Sequence, residues 1–201
     1  MRKQQREAIL ALLEETYMGT ETALNYSTPF ELLVAVIMSA QCTDERVNKI
    51  TARIFPKYNT PEKMGALSQE QLEEEIRDCG LFRSKAKNLL ATCKMLTEEY
   101  NSVIPDTVEE LMKLPGVGKK TANVVASIVY KVPAIAVDTH VFRVSHRLGL
   151  AKGDDPLAVE KELQKAIPKN KWSDAHHWLI WHGRKTVSYT HLRAHETGRN
   201  L

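Results

Sequence analysis

Residues 111–127 read LMKLPGVGKKTANVVAS, and this stretch decides the fold. Its first apolar residues predict a helix that ends at Leu114, and the Ala- and Val-rich residues after the turn predict another. Gly116 and Gly118 lack a Cβ and can adopt positive φ, so a phosphate oxygen can approach the N–H groups at the start of the second helix. The stretch therefore predicts a helical hairpin over about residues 107–130 that can hold a phosphate without reading base sequence.

Two other interpretations of this turn were weighed. A Pro-Gly-Val-Gly turn between helices can be a plain connector, and turn chemistry alone leaves that reading open. A nucleotide-binding P-loop has a similar ending, but Lys113 stands where its first glycine belongs. A helix rather than a strand also precedes the turn, so the P-loop is excluded.

The rest of the chain is predicted to be helical, because apolar residues recur at helical spacing and no stretch alternates as a strand does. Helix starts are expected where an N-cap residue precedes a proline or a Glu or Gln three positions on, at Thr60, Ser68 and Thr107. Gly80 is predicted to end the acidic helix before it, and Gly149 the helix that begins near Asp138.

Composition excludes several classes of protein. The longest apolar run, Leu32–Ala40, is far shorter than the roughly 20 residues that span a bilayer, which excludes a membrane-spanning helix. Charged residues interrupt the first 15 residues of the chain, which excludes a secretory signal peptide there. We therefore expect no membrane association and a cytoplasmic protein. The net charge is +3, but residues 185–201 contribute +2 of it, so a polyanionic ligand would need a local basic patch.

The chain has three cysteines, Cys42, Cys79 and Cys93. They are widely spaced and include no C-x-x-C pair, so the sequence indicates neither a disulfide framework nor a zinc site. We expect buried thiols and no bound metal.

Several long motifs resemble the endonuclease III family of helix-hairpin-helix DNA glycosylases. LPGVGKKTANVV is followed by IAVDTHVFRVSHRLGL, and STPFELLVAVIMSAQCTD, CGLFRSKAKNL and DAHHWLIWHGR stand in the family's order and spacing. The resemblance covers about Lys3 to Arg184. It implies an all-α, two-lobed helix-hairpin-helix DNA glycosylase fold: a helical barrel over residues 22–132, and a second lobe from residues 1–21 plus 133–184. A cleft between the lobes would bring Lys120 and Asp138 together.

The resemblance implies that Lys120 is the nucleophile and that Asp138 stabilises positive charge developing on the sugar. Elementary chemistry agrees, since an amine must be neutral to attack. A lysine at a helix start, beside Lys119 and partly removed from water, is expected to have a lowered pKa. A solvated or phosphate-contacting lysine is the alternative for Lys120. Asp138 is also a natural N-cap, which by itself would explain it.

The resemblance also implies contacts with DNA. Gln41 and Leu81 would fill the space that an extruded base leaves, although Leu81 alone would suggest a hydrophobic cap contact. His140 would contact a phosphate, although a structural helix histidine is commoner. The hairpin residues expected to hold the DNA backbone are Gly116, Val117, Gly118, Lys119 and Thr121.

Relatives in this family follow the HGR motif with four cysteines that hold a [4Fe-4S] cluster, and none follows it here. The chain as written is therefore expected to bind no such cofactor. The segment 185–201 lacks an apolar face. We interpret it as a foreign, frameshifted or read-through tail, and a natural cluster-free variant is the alternative. His191 and His195 stand at i and i+4, but two ligands alone do not make a metal site.

The function predicted from these motifs is a monomeric DNA glycosylase and abasic-site lyase of bacterial base-excision repair. Its partner would be damaged double-stranded DNA carrying oxidised or ring-saturated pyrimidines. The alternative is a helix-hairpin-helix DNA-binding protein whose catalysis is impaired because the cluster region is missing.

Overall fold

The computed structural model describes residues 2–186, and this part of the chain is helical without strands, as predicted. The helices are α1 (Lys3–Tyr17), α2 (Pro29–Ser39), α3 (Asp44–Ile54), α4 (Pro61–Gly65), α5 (Gln69–Glu75), α6 (Phe82–Glu99), α7 (Val108–Leu111), α8 (Lys119–Tyr130), α9 (Thr139–Arg147), α10 (Pro156–Ala166) and α11 (Trp172–Lys185), with a short 3₁₀ helix at Lys169–Lys171. None of the helices within residues 2–186 has both the length and the apolar character of a membrane span.

The chain divides into two compact units. The middle unit is Ala23–Lys131, and the terminal unit combines the residues up to Thr22 with those from Val132 onward. The sequence placed the corresponding boundaries at 22–132 for the barrel, and at 1–21 plus 133–184 for the second lobe.

The middle unit is built around α2, whose apolar residues cover every side of the helix. Leu32, Leu33 and Met38 are fully buried, and a helix that is apolar all round belongs inside a core. It packs against α3, α6 and α8, and α6 packs in turn against α4 and α5. The hairpin helix α8 is thereby fixed on the central helix of this unit.

The terminal unit joins the two ends of the described chain. Helix α11 packs against α1 and α9, and α10 packs against α9. The Tyr17 hydroxyl lies 3.1 Å from Nδ1 of His182, which links α1 to α11. Burial lowers the pKa of His182, which favours a neutral imidazole that can accept this hydrogen bond.

The predicted helix starts are present. Thr60 caps α4, and Ser68 forms a full capping box with Gln71 at the start of α5. Thr107 caps α7 through the N–H of Glu110, but the Glu110 carboxylate accepts hydrogen bonds from Tyr100 and Lys113. The Glu110 side chain therefore bonds to these two residues, and the capping box expected with Thr107 is formed only by the Thr107 side chain.

The prediction that Gly80 ends the acidic helix is wrong, because α5 ends at Glu75. Gly149 does adopt positive φ just after α9, as a helix-ending glycine does. Lys185, which the sequence analysis assigned to the tail, is the last residue of α11. His191, His195 and the rest of residues 187–201 lie outside the described residues.

Candidate DNA-binding and catalytic site

The hairpin turn is held tightly against α6. Gly116 has φ +77°, and a Cβ at this position would lie 2.9 Å from side-chain atoms of Asn88. The Thr92 hydroxyl donates to the Pro115 carbonyl at 2.8 Å. A glycine is required at 116 both for its backbone conformation and for this close approach.

Gly118 serves a different purpose from the one expected, because its φ is −88° and it is the N-cap of α8. N-cap residues normally adopt extended backbone, so positive φ is not needed here. No atom lies within 4 Å of the place where a Cβ would stand. The missing side chain therefore leaves an open surface in front of the helix start.

The first turn of α8 offers backbone donors at that surface. Its first bond to the cap runs from the Ala122 N–H to the Gly118 carbonyl at 2.9 Å. The N–H groups of Lys119, Lys120 and Thr121 precede it, and a helix leaves such groups without a partner inside the helix. Together with the helix dipole they form a site suited to a phosphate.

The predicted hairpin contacts differ in exposure. Lys119 and Lys120 are exposed, and Thr121 is half-buried. Val117 is buried and its N–H donates to the Leu114 carbonyl at 3.1 Å, so a role for Val117 at DNA stays a prediction. Lys120 is exposed on the first turn of α8, and its expected partial removal from water stays a prediction.

Asp138 is the N-cap of α9, as its sequence position suggested. Its Oδ1 accepts a hydrogen bond from the Val141 N–H at 2.8 Å. The preceding residues Ala134–Val137 are buried. This segment is anchored by His176, which sequence reasoning missed: its Nδ1 lies 2.8 Å from the Ala136 carbonyl, and its side chain is buried. The only signal in the sequence was its place in the DAHHWLIWHGR motif.

His140 lies two residues further on and is half-buried. Its Nδ1 is 3.3 Å from the Arg143 guanidinium, which also donates to the Gly183 carbonyl at 3.2 Å. A Cβ at Gly183 would lie 3.0 Å from Val144, so the glycine lets α11 approach α9 closely. These contacts hold the His140 imidazole in place within the terminal unit. This arrangement is compatible with a structural role and with a phosphate contact.

The structure brings Gln41 and Leu81 together on neighbouring loops of the middle unit. Gln41 is exposed with φ +53°, and Leu81 is 58% exposed with φ +59°. Gly80 explains the close approach, since a Cβ there would lie 2.9 Å from the Gln41 carbonyl oxygen. Gly80 thus spaces these two loops and does not end α5.

Lys120 and Asp138 belong to different units, Lys120 to the middle unit and Asp138 to the terminal unit. Their expected meeting in a cleft stays a prediction.

The thiols do not fit a four-cysteine iron-sulfur cluster. The chain has three cysteines, all in the middle unit. Burial raises the pKa of Cys93 to about 12, whereas cluster ligands are thiolates. Within the described residues no three His, Cys, Asp or Glu side chains come together as a metal site. No step proposed below depends on a metal or cluster.

Comparison with known proteins gives one family. Residues 34–169 match the model of the HhH-GPD superfamily base excision DNA repair protein. The chain is 50% identical over 184 residues to endonuclease III of Rickettsia prowazekii, covering 92% of this chain and 87% of the relative. It is 47% identical over 186 residues to endonuclease III of Escherichia coli strain K12, covering 92% and 88% respectively.

Solved structures agree. A trapped endonuclease III–DNA covalent intermediate matches with a TM-score of 0.88 and 52% identity, covering 92% of this chain and 87% of that chain. A non-covalent endonuclease III–DNA complex matches over the same shares with a TM-score of 0.89 and 52% identity. A thermostable thymine-DNA glycosylase shares the fold at a TM-score of 0.79 and 19% identity, over 90% of this chain and 87% of that one.

Proposed function

The chain belongs to the endonuclease III family of the HhH-GPD base excision DNA repair proteins, and we propose that Lys120 and Asp138 carry its catalysis. It is an enzyme, a DNA glycosylase and abasic-site lyase that binds DNA. The alternative of a DNA-binding protein without activity is not favoured, because the similarity to endonuclease III extends over about nine-tenths of the chain.

Lys120 supplies the nucleophile. Its neutral amine attacks C1′ of the damaged nucleotide, the bond from C1′ to the base breaks, and the base leaves with the bonding electrons. Nζ gives up a proton, the bond from C1′ to the ring oxygen breaks, and that oxygen keeps the bonding electrons and takes up a proton, which leaves a Schiff base between Nζ and C1′. Removal of a proton from C2′ allows β-elimination, which expels the 3′ phosphate and nicks the strand.

Asp138 supplies the opposite charge. A carboxylate near the sugar stabilises the positive charge that develops on the sugar as the base departs, and it can move a proton. The cap of α9 uses Oδ1, and a carboxylate has a second oxygen that can perform this task. Capping therefore fixes the orientation of Asp138 without consuming its charge.

Binding and base extrusion use other residues. The N–H groups at the start of α8 hold a backbone phosphate, Lys119 and Thr121 lie at that same helix start, and His140 contacts a further phosphate. Gln41 and Leu81 enter the duplex and replace the stacking that the extruded base has lost. The substrates are oxidised or ring-saturated pyrimidines and abasic sites in duplex DNA, and the enzyme acts as a monomer in the bacterial cytoplasm.

One observation supports the assignment of Lys120 above all others: the residue is exposed on the first turn of a helix whose start has open space for a phosphate. A lysine in this position is available to attack the sugar of a nucleotide whose phosphate binds at the helix start.

Borohydride reduction on duplex DNA with one abasic site tests the assignment. The parent chain should give a covalent protein–DNA adduct, because borohydride reduces the Schiff base to a stable amine. Lys120→Ala should give none while still binding the DNA. Lys49→Ala is the matched control, since Lys49 is a solvated lysine on α3 of the same unit that pairs with Glu45, and it should react like the parent. An adduct with Lys120→Ala, or none with the parent, refutes the proposal.

A further inference from the structure

Lys85 is a buried lysine at the base of the two loops that carry Gln41 and Leu81. Its residue exposure is 5%. Its Nζ lies 2.7 Å from the Met38 carbonyl oxygen and 2.6 Å from that of Ala40, and 3.2 Å from Cys79 Sγ.

These three contacts satisfy every hydrogen-bond donor of the Lys85 side chain. It has three N–H donors and no acceptor, and each donor has a partner here. Lysine is rarely buried unless its charge is compensated. The compensation comes from the carbonyl end of α2, where the last turn of a helix leaves carbonyls without a partner and the helix dipole favours a cation.

The same contacts tie two loops to each other. Met38 and Ala40 precede Gln41, and Cys79 stands two residues before Leu81. Cys79 Sγ also donates to the Met38 carbonyl at 3.4 Å. Because Lys85 belongs to α6, which begins immediately after Leu81, one side chain joins the end of α2, the loop before α6 and α6 itself.

The residues at both loop tips, Gln41 and Leu81, have an unfavourable backbone conformation. Gln41 and Leu81 adopt positive φ, a backbone conformation that is unfavourable for a residue with a Cβ. Such conformations persist only where the surroundings determine them strongly, and they concentrate at functional sites. Lys85 and the close approach of Gly80 to the Gln41 carbonyl provide that determination.

We propose that Lys85 is a positioning residue for base extrusion: it holds the loops of Gln41 and Leu81 at the spacing at which both side chains enter the duplex. The inference rests on the proposed function, because it needs those two residues to act at DNA. Lys85 itself stays buried and touches neither the substrate nor the reacting atoms.

The test separates extrusion from the chemistry that follows. Lys85→Met keeps the length of the side chain but removes its charge and donors. Excision of an oxidised pyrimidine from duplex DNA should fall about tenfold, which corresponds to about 1.4 kcal/mol, because the two loops lose the hydrogen bonds that hold their spacing. Strand cleavage of single-stranded DNA that already contains an abasic site should stay within about twofold of the parent, because no base has to leave a stack.

Three further measurements distinguish positioning from a merely structural role. A fluorescent base analogue beside the lesion should report less base opening with Lys85→Met, and Lys85→Arg, which keeps charge and donors, should recover part of it. In a chain that already carries Gln41→Ala and Leu81→Ala, Lys85→Met should add no further loss of excision, since coupled residues are not additive. Lys94→Met is the matched control: Lys94 lies on the same helix, exposed and paired with Glu98, and should match the parent.

The outcomes are separable. If the parent chain excises no base and gives no adduct, the proposed function fails. If the parent excises normally and Lys85→Met excises equally well, the inference about Lys85 fails. It also fails if both reactions fall by the same factor, or if the loss persists in the Gln41→Ala, Leu81→Ala background, because either result shows an effect that does not act through Gln41 and Leu81.

Discussion

Asp138 shows how one side chain can serve the fold and the reaction at once. Its Oδ1 caps α9, and an unpaired helix start would cost about 1 kcal/mol. Asparagine caps a helix about as well as aspartate but carries no charge. The two tasks can therefore be separated by one substitution.

We predict that Asp138→Asn leaves the free energy of unfolding within about 0.5 kcal/mol of the parent. We also predict that the rate of base excision falls about a hundredfold, because the charge that assists the reaction is lost. Denaturant unfolding and single-turnover excision measure the two effects. Asp155→Asn, at the N-cap of α10 in the same unit, is the control and should change neither quantity. Full excision activity in Asp138→Asn would remove Asp138 from the mechanism.

At this scale the sequence predicted the charged residues but not their surroundings. Lys120 and Asp138 were assigned from motif positions, whereas Lys85 in SKAKN could not be told from Lys87 as the buried lysine, because burial depends on carbonyls 45 and 47 residues away. The anchor His176 depends on the Ala136 carbonyl, 40 residues distant. Local pattern carries no information about such partners.

The helical hairpin is the element to which we assign the phosphate contact. The turn before α8 combines two glycines with different tasks: Gly116 makes room for Asn88, and Gly118 leaves the start of α8 uncovered. A side chain at 116 would disturb the packing inside the unit, but one at 118 would meet only solvent or DNA.

We predict that Gly118→Asp folds as well as the parent and binds DNA about tenfold more weakly. An aspartate at the N-cap would accept hydrogen bonds from the first turn of α8 and so stabilise the helix by a few tenths of a kcal/mol. The same carboxylate would occupy the donors that a phosphate needs and would repel it. Thermal unfolding and a DNA-binding titration at fixed salt measure the two effects.

Ser68→Asp is the control for this variant, since it adds the same charge at the N-cap of α5 in the same unit. It should bind DNA within about twofold of the parent. Equal DNA affinity for Gly118→Asp and the parent would exclude a phosphate at the start of α8.

Elements were more predictable than single contacts. The starts of α4 and α5 followed from Thr60 and Ser68, because an N-cap depends only on residues within one turn. The end of α5 was misplaced because Gly80 is required by the carbonyl of Gln41, which lies far away in the sequence. A glycine in a sequence indicates that space or positive φ is needed, but not which element needs it.

At the scale of the whole molecule, the three cysteines bear on whether the chain can hold an iron-sulfur cluster. The three thiols lie in the middle unit, and Cys79 already donates to Met38 while accepting from Lys85. Cys79 thus serves packing and hydrogen bonding, and Cys93 is buried, whereas Cys42 is only half-buried, so the expectation of buried thiols is wrong for Cys42.

We predict that the chain as written, purified without added metal, contains neither stoichiometric iron nor acid-labile sulfide. Treatment with a chelator and an oxidant should leave its melting temperature unchanged, because there is no bound cluster whose loss would destabilise the fold. Elemental analysis and thermal unfolding before and after treatment measure this, with a cluster-containing relative treated in parallel as the control. Stoichiometric iron with matching sulfide would contradict the prediction.

The pairing of α1 with α11 also bears on how the chain is synthesised. Tyr17 is synthesised early, and its partner His182 follows 165 positions later in the chain. The middle unit is continuous in sequence, so all of its residues have emerged once Lys131 leaves the exit tunnel. The apolar face of α1, with Leu10 and Leu13, stays exposed until the residues of α11 that pack against it have been synthesised. A nascent chain that stalls before Trp172 would therefore expose this face to chaperones and proteases.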